Sequence, residues 1–495
     1  MSAAARFLAV DLGASSGRAM VSSWSGERFE LEELHRFPNG GVPVGCDLYW
    51  DALGLWQHLL DGLMKYNAAF GEAPAGIAID AWGVDFALLD GNGRLLGNPF
   101  HYRDRRTDGI AARLFQIVPE EEWFAETGVQ TMEINTLFQL FSMVRSRDPQ
   151  LAAARSLIMV PDLFLYFLCG ERCAEYTEAT TTQMVSLRRA AWADSLLERA
   201  GIPPSLLPPI ISPAKVVAPV RSRVLDECGF SAAAVPALAA ASHDTACAVA
   251  SIPEMDERSV FLSCGTWSLI GVETSAPNTS PEARRLRFTN EGSAGGGILL
   301  LRNLTGLWLL QECLRHWKLH GPALRWDDLV SAAREAPALR SCFDPNDPRL
   351  QAAGDMPAAI RRCCGQTRQP VPESVGEIAR CAFESLALKY RSCVESLAQL
   401  TGRAFDTLRI VGGGGQNTLL CQLIADCTGL AVVAGPVEAS ALGNGMLQAI
   451  ATGHISNIAS GRAAVAASIE RMTYQPKRSD AWEEAWARFG QLEVN

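Results

Sequence analysis

A short apolar run followed by a glycine turn recurs in both halves of this chain, and this recurrence constrains the fold most. The first copy is AVDLGASSGR at 9–18, and the second is SCGTWS at 263–268. Between them, the apolar run 235–240 leads into His243 and Asp244. Such runs are typical of buried strands in parallel sheets, which bind ligands where the strands end. We therefore predict an α/β protein with Asp244 at a ligand-binding sheet edge.

The length of the chain predicts two domains. At 495 residues it exceeds what one hydrophobic core usually organises, so we divide it near residue 250 into 1–250 and 251–495. Its hydrophobic fraction of 48% and charged fraction of 20% are those of an ordinary globular protein.

Charge and hydropathy limit the classes of partner. A net charge of −10 provides no basic field for a phosphate backbone, which disfavours nucleic acid and anionic membranes as partners. The first residues lack a leader pattern, and no run of about 18 uninterrupted apolar residues occurs. We expect a cytoplasmic protein that acts on small molecules as a monomer or small homo-oligomer.

Fourteen cysteines are scattered along the chain without paired CxxC spacing. We expect reduced thiols that fill the core. Cys364 and Cys381, at either end of a proline-containing loop, are the pair to test for oxidation.

Hydrophobic periodicity predicts many of the helices and strands. Asp51 is expected to cap an amphipathic helix. The apolar face of that helix should carry Leu53, Trp56, Leu59, Leu60 and Leu63. We also expect a loop or edge ribbon over the threonine-rich residues 176–183, and a helix from Asn303 to about Leu314.

The string 11–18 has the composition of a phosphate-binding hairpin. Its two glycines let the backbone approach phosphate oxygens, with N–H groups and serine hydroxyls as donors. Arg18 adds positive charge, and Asp11 at the strand end is placed to hold a metal-bound water. A tight hairpin without a ligand is the alternative, and the string is not a Walker-type loop.

Two further glycine turns lie in the second half. Gly265 and Thr266 alone would suggest only a structural hairpin, but they follow a strand as Gly13 does. The run 412–415, between an apolar strand and a helix, suits close approach of a phosphate or a flat ligand, with a flexible loop as the alternative. Neither turn is GxGxxG, so a dinucleotide-binding fold is disfavoured.

His243 and Asp244 offer two titratable groups at a strand end, although a single Asp is usually a cap or a surface residue. Phosphoryl transfer to a hydroxyl needs a carboxylate that accepts the proton, with donors and Mg²⁺ on the phosphates. One carboxylate between two phosphate turns meets that need, so the sequence favours a phosphotransferase. Asn303 and Gln311 could contact ligands, but surface polar residues are the default there.

Taken together, these segments resemble the FGGY carbohydrate kinases of the actin/hexokinase/Hsp70-like superfamily. The matching strings occur in family order from about residue 5 to 450, and as a set they are highly specific. They are AVDLGASSGR (9–18), AWGVDF (81–86), YRDRRT (102–107), YTEATTTQ (176–183), ASHDTA (241–246), SCGTWSLIG (263–271), NLTGLWLLQ (303–311), FDPNDPR (343–349), ESLALKY (384–390), IVGGGGQNTLL (410–420) and AGPVEASALGN (434–444).

The resemblance implies two actin/hexokinase-like (ribonuclease H-like) α/β domains with a nucleotide- and sugar-binding cleft between them. Residues 1–250 would bind the sugar and carry the first phosphate hairpin and the catalytic Asp, and residues 251–495 would bind ATP. It implies Asp244 as the catalytic proton acceptor and Mg²⁺ as the cofactor, with Asp11 behind the metal. The implied ATP contacts are Ala14, Ser15, Ser16, Gly17, Arg18, Thr266, Gln311 and Gly413. The implied sugar contacts are Gly83, His243, Asp244, Thr245 and Asn303.

The implied reaction transfers the γ-phosphate of ATP to the 1-hydroxyl of L-rhamnulose in L-rhamnose degradation. A kinase for a related deoxyketose such as L-fuculose is one alternative, and only sugar turnover separates the two. A non-catalytic sugar sensor on the same fold is the other. The presence of Asp244 argues against a sensor, which needs no base.

Overall fold

The chain forms two compact units in the computed structural model, which describes residues 5–230, 234–321, 323–351, 354–477 and 479–492. The first unit comprises Met1–Glu254, Glu273–Leu300 and Ala439–Ile469. The second comprises Met255–Val272, Leu301–Glu438 and Glu470–Asn495. The compact units are therefore not the same as the sequence halves 1–250 and 251–495. The assignment of sugar binding to the first half and ATP binding to the second half stays a prediction.

Helices and strands are distributed along the whole chain. The strands are β1 (Ala5–Leu12), β2 (Ser16–Trp24), β3 (Phe29–Pro38), β4 (Gly41–Val44), β5 (Asp47–Trp50), β6 (Gly76–Ala81), β7 (Phe86–Leu89), β8 (Ser156–Met159), β9 (Ala174–Glu175), β10 (Val185–Ser186), β11 (Ala191–Trp192), β12 (Ile210–Ile211), β13 (Lys215–Pro219), β14 (Pro236–Ala239), β15 (Ser259–Cys264), β16 (Trp267–Thr274), β17 (Thr289–Gly292), β18 (Ile298–Thr305), β19 (Thr407–Val411), β20 (Ala431–Ala434) and β21 (Met472–Tyr474). The α-helices are α1 (Ala52–Phe70), α2 (Ile110–Leu114), α3 (Glu120–Thr127), α4 (Thr136–Ser146), α5 (Pro149–Ala153), α6 (Val160–Cys169), α7 (Tyr176–Thr181), α8 (Asp194–Arg199), α9 (Ser222–Glu227), α10 (Asp244–Ala250), α11 (Pro281–Arg285), α12 (Trp308–His320), α13 (Trp326–Glu335), α14 (Met356–Gln366), α15 (Val375–Thr401), α16 (Thr418–Thr428), α17 (Ala439–Ala451), α18 (Ile458–Ser468) and α19 (Asp480–Phe489).

The first unit is built on a six-stranded sheet in the order β13-β14-β6-β1-β2-β3. Strands β1, β2 and β3 run antiparallel, whereas β6 is parallel to β1 and β14 is parallel to β6. Asp11 lies opposite Asp80 in this register, and an isolated parallel bridge joins Ala81 to His243. The adjacent parallel strands thus end at one edge of the sheet.

Helices α1, α6 and α17 pack on this sheet. Helix α1 begins at its N-cap Asp51, whose side chain accepts a hydrogen bond from the Gly54 N–H, and it ends at Gly71 in a left-handed conformation. Its buried face confirms the prediction for most of the leucines, but Leu53 in the first turn is 60% exposed.

Helix α17 depends on glycines for its close packing. A Cβ at Gly443 would collide with the backbone oxygen of Cys247 in α10, and one at Gly445 would collide with the Ser22 side chain in β2. These glycines let α17 lie directly against α10 and the sheet.

The second unit contains β18, β16, β15, β19, β20 and β21 as neighbours in that order. Strands β15 and β16 form an antiparallel hairpin, with β19 parallel to β15 and β20 parallel to β19. The plan of the first sheet therefore recurs, and the predicted mixed α/β fold with two domains is confirmed.

Helix α15 is the long element of the second unit. A capping box of Ser374 and Glu377 begins it, and Gly402 ends it. Lys389 in this helix is fully buried, and its Nζ donates to Asp344 Oδ2 at 3.2 Å. The Asp344 carboxylate compensates the charge of Lys389, which the protein interior could not otherwise hold.

Two segments differ from their predicted structure. Residues 176–183 contain helix α7, whose residues are all buried, and not a loop or an edge ribbon. Asn303 lies in β18, and α12 begins only at Trp308. The backbone of Gly306 and Leu307 is hydrogen-bonded to the hairpin at 265–266, which delays the helix.

None of the helices in the described part of the chain combines the length and the hydropathy needed to span a bilayer.

Candidate active site

Carboxylates gather at one edge of the sheet in the first unit. Asp11 lies near the end of β1, and Asp80 lies beside it in β6. Strand β14 leads through a short connection to His243 and Asp244 at the same edge. Open α/β sheets bind ligands at the carboxyl ends of their parallel strands, so this edge is the candidate active site.

Asp244 is the first residue of α10, and its side chain is 31% exposed. Its Oδ1 accepts a hydrogen bond from Thr245 Oγ1 at 3.1 Å. Burial raises the pKa of Asp244 to about 6, although hydrogen bonds from Thr245 oppose the shift. A carboxylate with such a pKa is ionised at pH 7 and still basic enough to accept a proton.

His243 lies between Asp244 and a second acid, Glu291 in β17. Its Nε2 is 3.5 Å from Asp244 Oδ1, and its Nδ1 is 3.3 Å from Glu291 Oε2. Burial lowers the pKa of His243 and raises the pKa of Glu291, so it favours the uncharged form of each. Glu291 gave no motif signal in the sequence, because it lies far from His243 along the chain.

Asp80 lies at the candidate site, and no sequence motif indicated it. Its Oδ1 accepts a hydrogen bond from Asn444 Nδ2 at 2.6 Å, and its buried Oδ2 has no hydrogen-bond partner among the described residues. Burial and the nearby Asp11 raise its pKa well above the usual range. An acid at the end of an apolar strand, as in IAID at 77–80, is the signal that could have found it.

Glu175 holds the segment that carries His243. Its Oε2 accepts hydrogen bonds from the backbone N–H groups of Thr177, at 3.0 Å, and Ser242, at 2.9 Å. Thr177 Oγ1 donates to the same oxygen and accepts from the His243 N–H at 3.2 Å. One buried carboxylate therefore fixes both α7 and the approach to Asp244.

A further buried acid, Glu178, lies in α7. Neither of its carboxylate oxygens has a hydrogen-bond partner among the described residues. Burial and the nearby Asp162 and Asp244 raise the pKa of Glu178 well above its usual range, which favours the protonated form.

The turn at Gly83 and Val84 is held in a strained conformation. Val84 has a φ of 73°, which is rare for a β-branched residue, and such strain clusters at functional sites. The Val84 N–H donates to Thr181 Oγ1 at 3.1 Å, and Thr136 Oγ1 donates to the Val84 oxygen at 2.6 Å. A Cβ at Gly83 would collide with the Thr181 side chain, so Gly83 is required by packing.

The first glycine hairpin is a defined turn. The Gly13 N–H donates to the Ser16 oxygen at 3.0 Å, and Asn39 Nδ2 donates to the Gly13 oxygen at 2.7 Å. Arg18 Nη2 donates to Asp11 Oδ2 at 2.6 Å. Gly17 has a packing role, because a Cβ there would collide with the Phe37 ring.

The second glycine hairpin, in the second unit, meets the start of α12. The Thr266 oxygen accepts hydrogen bonds from the N–H groups of Gly306 and Trp308. Thr266 Oγ1 donates to the exposed Gln311 Oε1 at 3.1 Å. Thr266 and Gln311, both singled out from the sequence, therefore lie together, whereas Asn303 is a half-buried residue of β18.

The glycine run 412–415 follows β19 and precedes α16. Gly412 has a φ of 80°, and a Cβ at Gly414 would collide with Cys264 Sγ. A Cβ at Gly413 would meet no atom within 4 Å beyond its chain neighbours, so this part of the backbone is exposed. Residues Gly413–Gln416 form one 3₁₀ turn.

Cys364 Sγ lies 3.8 Å from Cys381 Sγ in the second unit. Both are free thiols, as are the other cysteines.

The chain matches a known protein family along most of its length. The N-terminal domain of the FGGY family of carbohydrate kinases matches residues 6–250, and its C-terminal domain matches residues 260–452. The chain is 41% identical to the rhamnulokinase of Bacteroides thetaiotaomicron, with 98% of each chain covered. It is 39% identical to the rhamnulokinase of Enterococcus faecalis, with 96% of this chain and 95% of the relative covered.

Solved structures share the fold at lower identity. The xylulose kinase of Rhodospirillum rubrum has a TM-score of 0.81 at 19% identity, with 98% of each chain covered. The glycerol kinase of Plasmodium falciparum with ADP has a TM-score of 0.79 at 14% identity, with 100% of this chain and 99% of that chain covered. Two matched domains and close relatives along nearly the whole length show that the chain belongs to the FGGY family of carbohydrate kinases.

Proposed function

We propose that this protein transfers the γ-phosphate of ATP to the 1-hydroxyl of L-rhamnulose, giving L-rhamnulose 1-phosphate and ADP in L-rhamnose degradation. The observation that carries the proposal is the identity of 39% to 41% to rhamnulokinases over at least 96% of the chain. The arrangement of Asp244 supports the kinase chemistry. We also propose a cytoplasmic location and a monomer or small homo-oligomer.

Asp244 accepts the proton of the 1-hydroxyl as that oxygen attacks the γ-phosphorus. The new oxygen–phosphorus bond forms to the sugar, the bond to the bridging oxygen of ADP breaks, and ADP leaves with the electron pair. Thr245 donates a hydrogen bond to Asp244 Oδ1, which orients the carboxylate. Glu175, through Ser242 and Thr177, acts as a positioning residue for this segment.

The remaining roles are proposed from the family motifs. Gly83, His243, Thr245 and Asn303 contact the sugar, and the fixed turn at Val84 supports the role of Gly83. Residues 1–250 provide most of the sugar site, the first phosphate hairpin and Asp244, and residues 251–495 provide the rest of the ATP site together with Asn303. The proposed ATP contacts are Ala14, Ser15, Ser16, Gly17, Arg18, Thr266, Gln311 and Gly413. The contact between Thr266 and Gln311 and the open backbone at Gly413 support their inclusion.

The carboxyl edge of the first sheet fits Mg²⁺. Asp11 and Asp80 offer carboxylate oxygens, the ligand type that this ion prefers, and the buried Asp80 Oδ2 has no hydrogen-bond partner among the described residues. We propose that Asp11 and Asp80 hold the ion, directly or through water. Bound Mg²⁺ neutralises charge on the phosphates during transfer.

Sugar-dependent ADP release tests the proposal. L-rhamnulose, L-fuculose, L-xylulose and no sugar are compared for the wild type, Asp244→Asn and the control Asp226→Asn, which changes an exposed carboxyl in α9. We expect preferred turnover of L-rhamnulose, with kcat lowered about 10²–10⁴-fold by Asp244→Asn because the base is lost. ATP binding, followed by calorimetry, should persist in this variant.

The other outcomes separate the parts of the proposal. Preferred turnover of L-fuculose would keep the kinase and overturn the substrate. A folded protein that binds sugar without releasing ADP would be a sensor. Full activity of Asp244→Asn would remove Asp244 from its role as the base.

A further inference from the structure

Three metal-ligating side chains meet in the first unit where β3 packs on α1. His35 lies on β3, and His58 and Asp61 lie three residues apart on α1. His35 Nε2 is 3.3 Å from His58 Nδ1 and 4.0 Å from Asp61 Oδ2, and His58 Nδ1 is 3.8 Å from Asp61 Oδ2. Among the described residues, this is the one group of at least three His, Cys, Asp or Glu side chains with ligand atoms within 4.8 Å of one another.

These spacings suit a single small cation. The circle through the two nitrogens and the oxygen has a radius of about 2.2 Å, close to the 2.0–2.2 Å bonds that Zn²⁺ makes to imidazole and carboxylate. A closing movement of a few tenths of an ångström would complete three sides of a tetrahedron. The side chains are 12%, 34% and 35% exposed, which leaves room for water as the fourth ligand.

Neighbouring side chains hold two of the ligands in place. Gln57 Nε2 donates to Asp61 Oδ1 at 3.2 Å, which leaves Oδ2 directed at the imidazoles. The Phe37 ring stacks on His58 with centroids 4.5 Å apart and planes 11° from parallel.

We propose that His35, His58 and Asp61 form a binding site for a divalent transition-metal ion of the Zn²⁺ class. Two imidazoles favour such ions over Mg²⁺, which prefers oxygen ligands, so this site is separate in chemistry from the carboxylates at Asp11 and Asp80. A bound ion would link β3 to α1 and stabilise the first unit.

Lys65 weakens metal binding at this proposed site. Its Nζ lies 2.8 Å from His35 Nδ1, and an ammonium group can only donate there. The neutral His35 ring therefore carries its proton on Nε2, the atom that must be free to bind the metal. Metal binding moves that proton to Nδ1 and displaces the exposed Lys65 side chain. Replacing Lys65 should therefore tighten binding.

Titration of the full-length protein with Co²⁺, without nucleotide, tests the site. We expect one Co²⁺ per chain, a visible d–d band without the near-ultraviolet band of cobalt–thiolate bonds, displacement by Zn²⁺ and no displacement by Mg²⁺. His58→Gln and Asp61→Asn should each weaken binding at least about tenfold, and Lys65→Gln should strengthen it severalfold. Thermal unfolding of each apo variant checks that it is folded.

Two controls separate this site from others. His454→Gln changes an imidazole outside the cluster and should bind Co²⁺ as the wild type does. The double variant His316→Gln/His320→Gln removes a stacked imidazole pair on α12 and should also retain the ion. Any of four results would overturn the proposal. These are loss of the ion in that double variant, thiolate bands in the spectrum, unchanged binding in folded His58→Gln or Asp61→Asn, and no binding by the wild type.

Discussion

The carboxylate of Asp244 is desolvated enough to be basic and still reachable by a substrate, with 31% of its side chain exposed. Its pKa of about 6 gives a direct prediction for pH dependence. Because the base must be ionised, kcat/KM for L-rhamnulose should fall about tenfold per pH unit below about pH 6. ADP release between about pH 5 and 8 measures this profile, which should be the same in Asp226→Asn. A kcat/KM that stays flat down to about pH 5 would contradict the assignment.

The same burial makes Asp244 costly to the folded state. Its raised pKa means that the folded protein holds the proton more tightly than the unfolded chain does. Ionisation of Asp244 therefore lowers the free energy of unfolding as pH rises through about 6. Asp244→Asn should therefore raise the free energy of unfolding at pH 7.5 by about 1–2 kcal/mol, less than the full shift implies because the side chain is partly exposed.

Urea unfolding at several pH values measures this difference. The advantage of Asp244→Asn should shrink as the pH falls from about 6 towards the usual pKa of an aspartate. Asp226→Asn removes an exposed carboxyl and is the matched control. It should change the free energy of unfolding much less than Asp244→Asn does at every pH. A variant less stable than the wild type at pH 7.5 would show that hydrogen bonding to Asp244 outweighs its desolvation.

At the scale of elements, the position of Asp244 depends on the contact between α10 and α17. Gly443→Ala places a Cβ against the backbone oxygen of Cys247, so one helix must move. We expect a loss of about 2 kcal/mol or more in the free energy of unfolding and a lower kcat, since α10 begins at Asp244. Thermal unfolding and ADP release measure the two effects.

A matched glycine separates crowding from helix propensity. Gly365 is an exposed residue of α14, and a Cβ at this position would have its nearest neighbour, a methyl carbon of Val371, at 3.5 Å. Gly365→Ala should therefore stabilise the chain by about 0.5–1 kcal/mol, as Ala does in a helix. Destabilisation by both substitutions would argue against a specific contact at Gly443.

Local patterns predicted the elements that depend on local physics. The strand that carries Asp11 near its end, the capped helix after Asp51 and the strand before the glycine run 412–415 follow from apolar runs, caps and glycine turns. Helix α7 could not be predicted this way, because its threonines favour turns and its N-cap is the buried Glu175. Asn303 was misplaced because distant backbone contacts at Gly306 determine where α12 begins.

The acidic cluster shows the same limit at the candidate site. Asp11 and Asp244 are recognisable because one lies at the end of an apolar strand and the other follows an apolar strand after a short connection. The partners Glu291 and Asn444 lie about 50 and about 360 residues away along the chain from His243 and Asp80, so only the fold brings them together. Motifs therefore identified the proposed base but not the groups that set its surroundings.

At the scale of the whole molecule, the path of the chain bears on how it folds. The first unit includes Ala439–Ile469, so a chain cut at residue 250 lacks α17. That helix packs on β1, β2 and β6, where Gln448 Nε2 donates to the Leu8 oxygen at 3.0 Å and Asn444 Nδ2 donates to Asp80 Oδ1. Its loss would expose apolar strands and leave buried polar atoms without partners.

We therefore predict that residues 1–250 expressed alone do not fold cooperatively. Heating should give no sharp transition in near-ultraviolet circular dichroism, and the fragment should bind a hydrophobic dye, because α17 no longer covers the sheet. Co-expression with residues 251–495 supplies α17 in trans and should restore a cooperative transition. A cooperative transition of the isolated fragment would show instead that the first half has a sufficient core without α17, and that its later segments are added to an already folded domain.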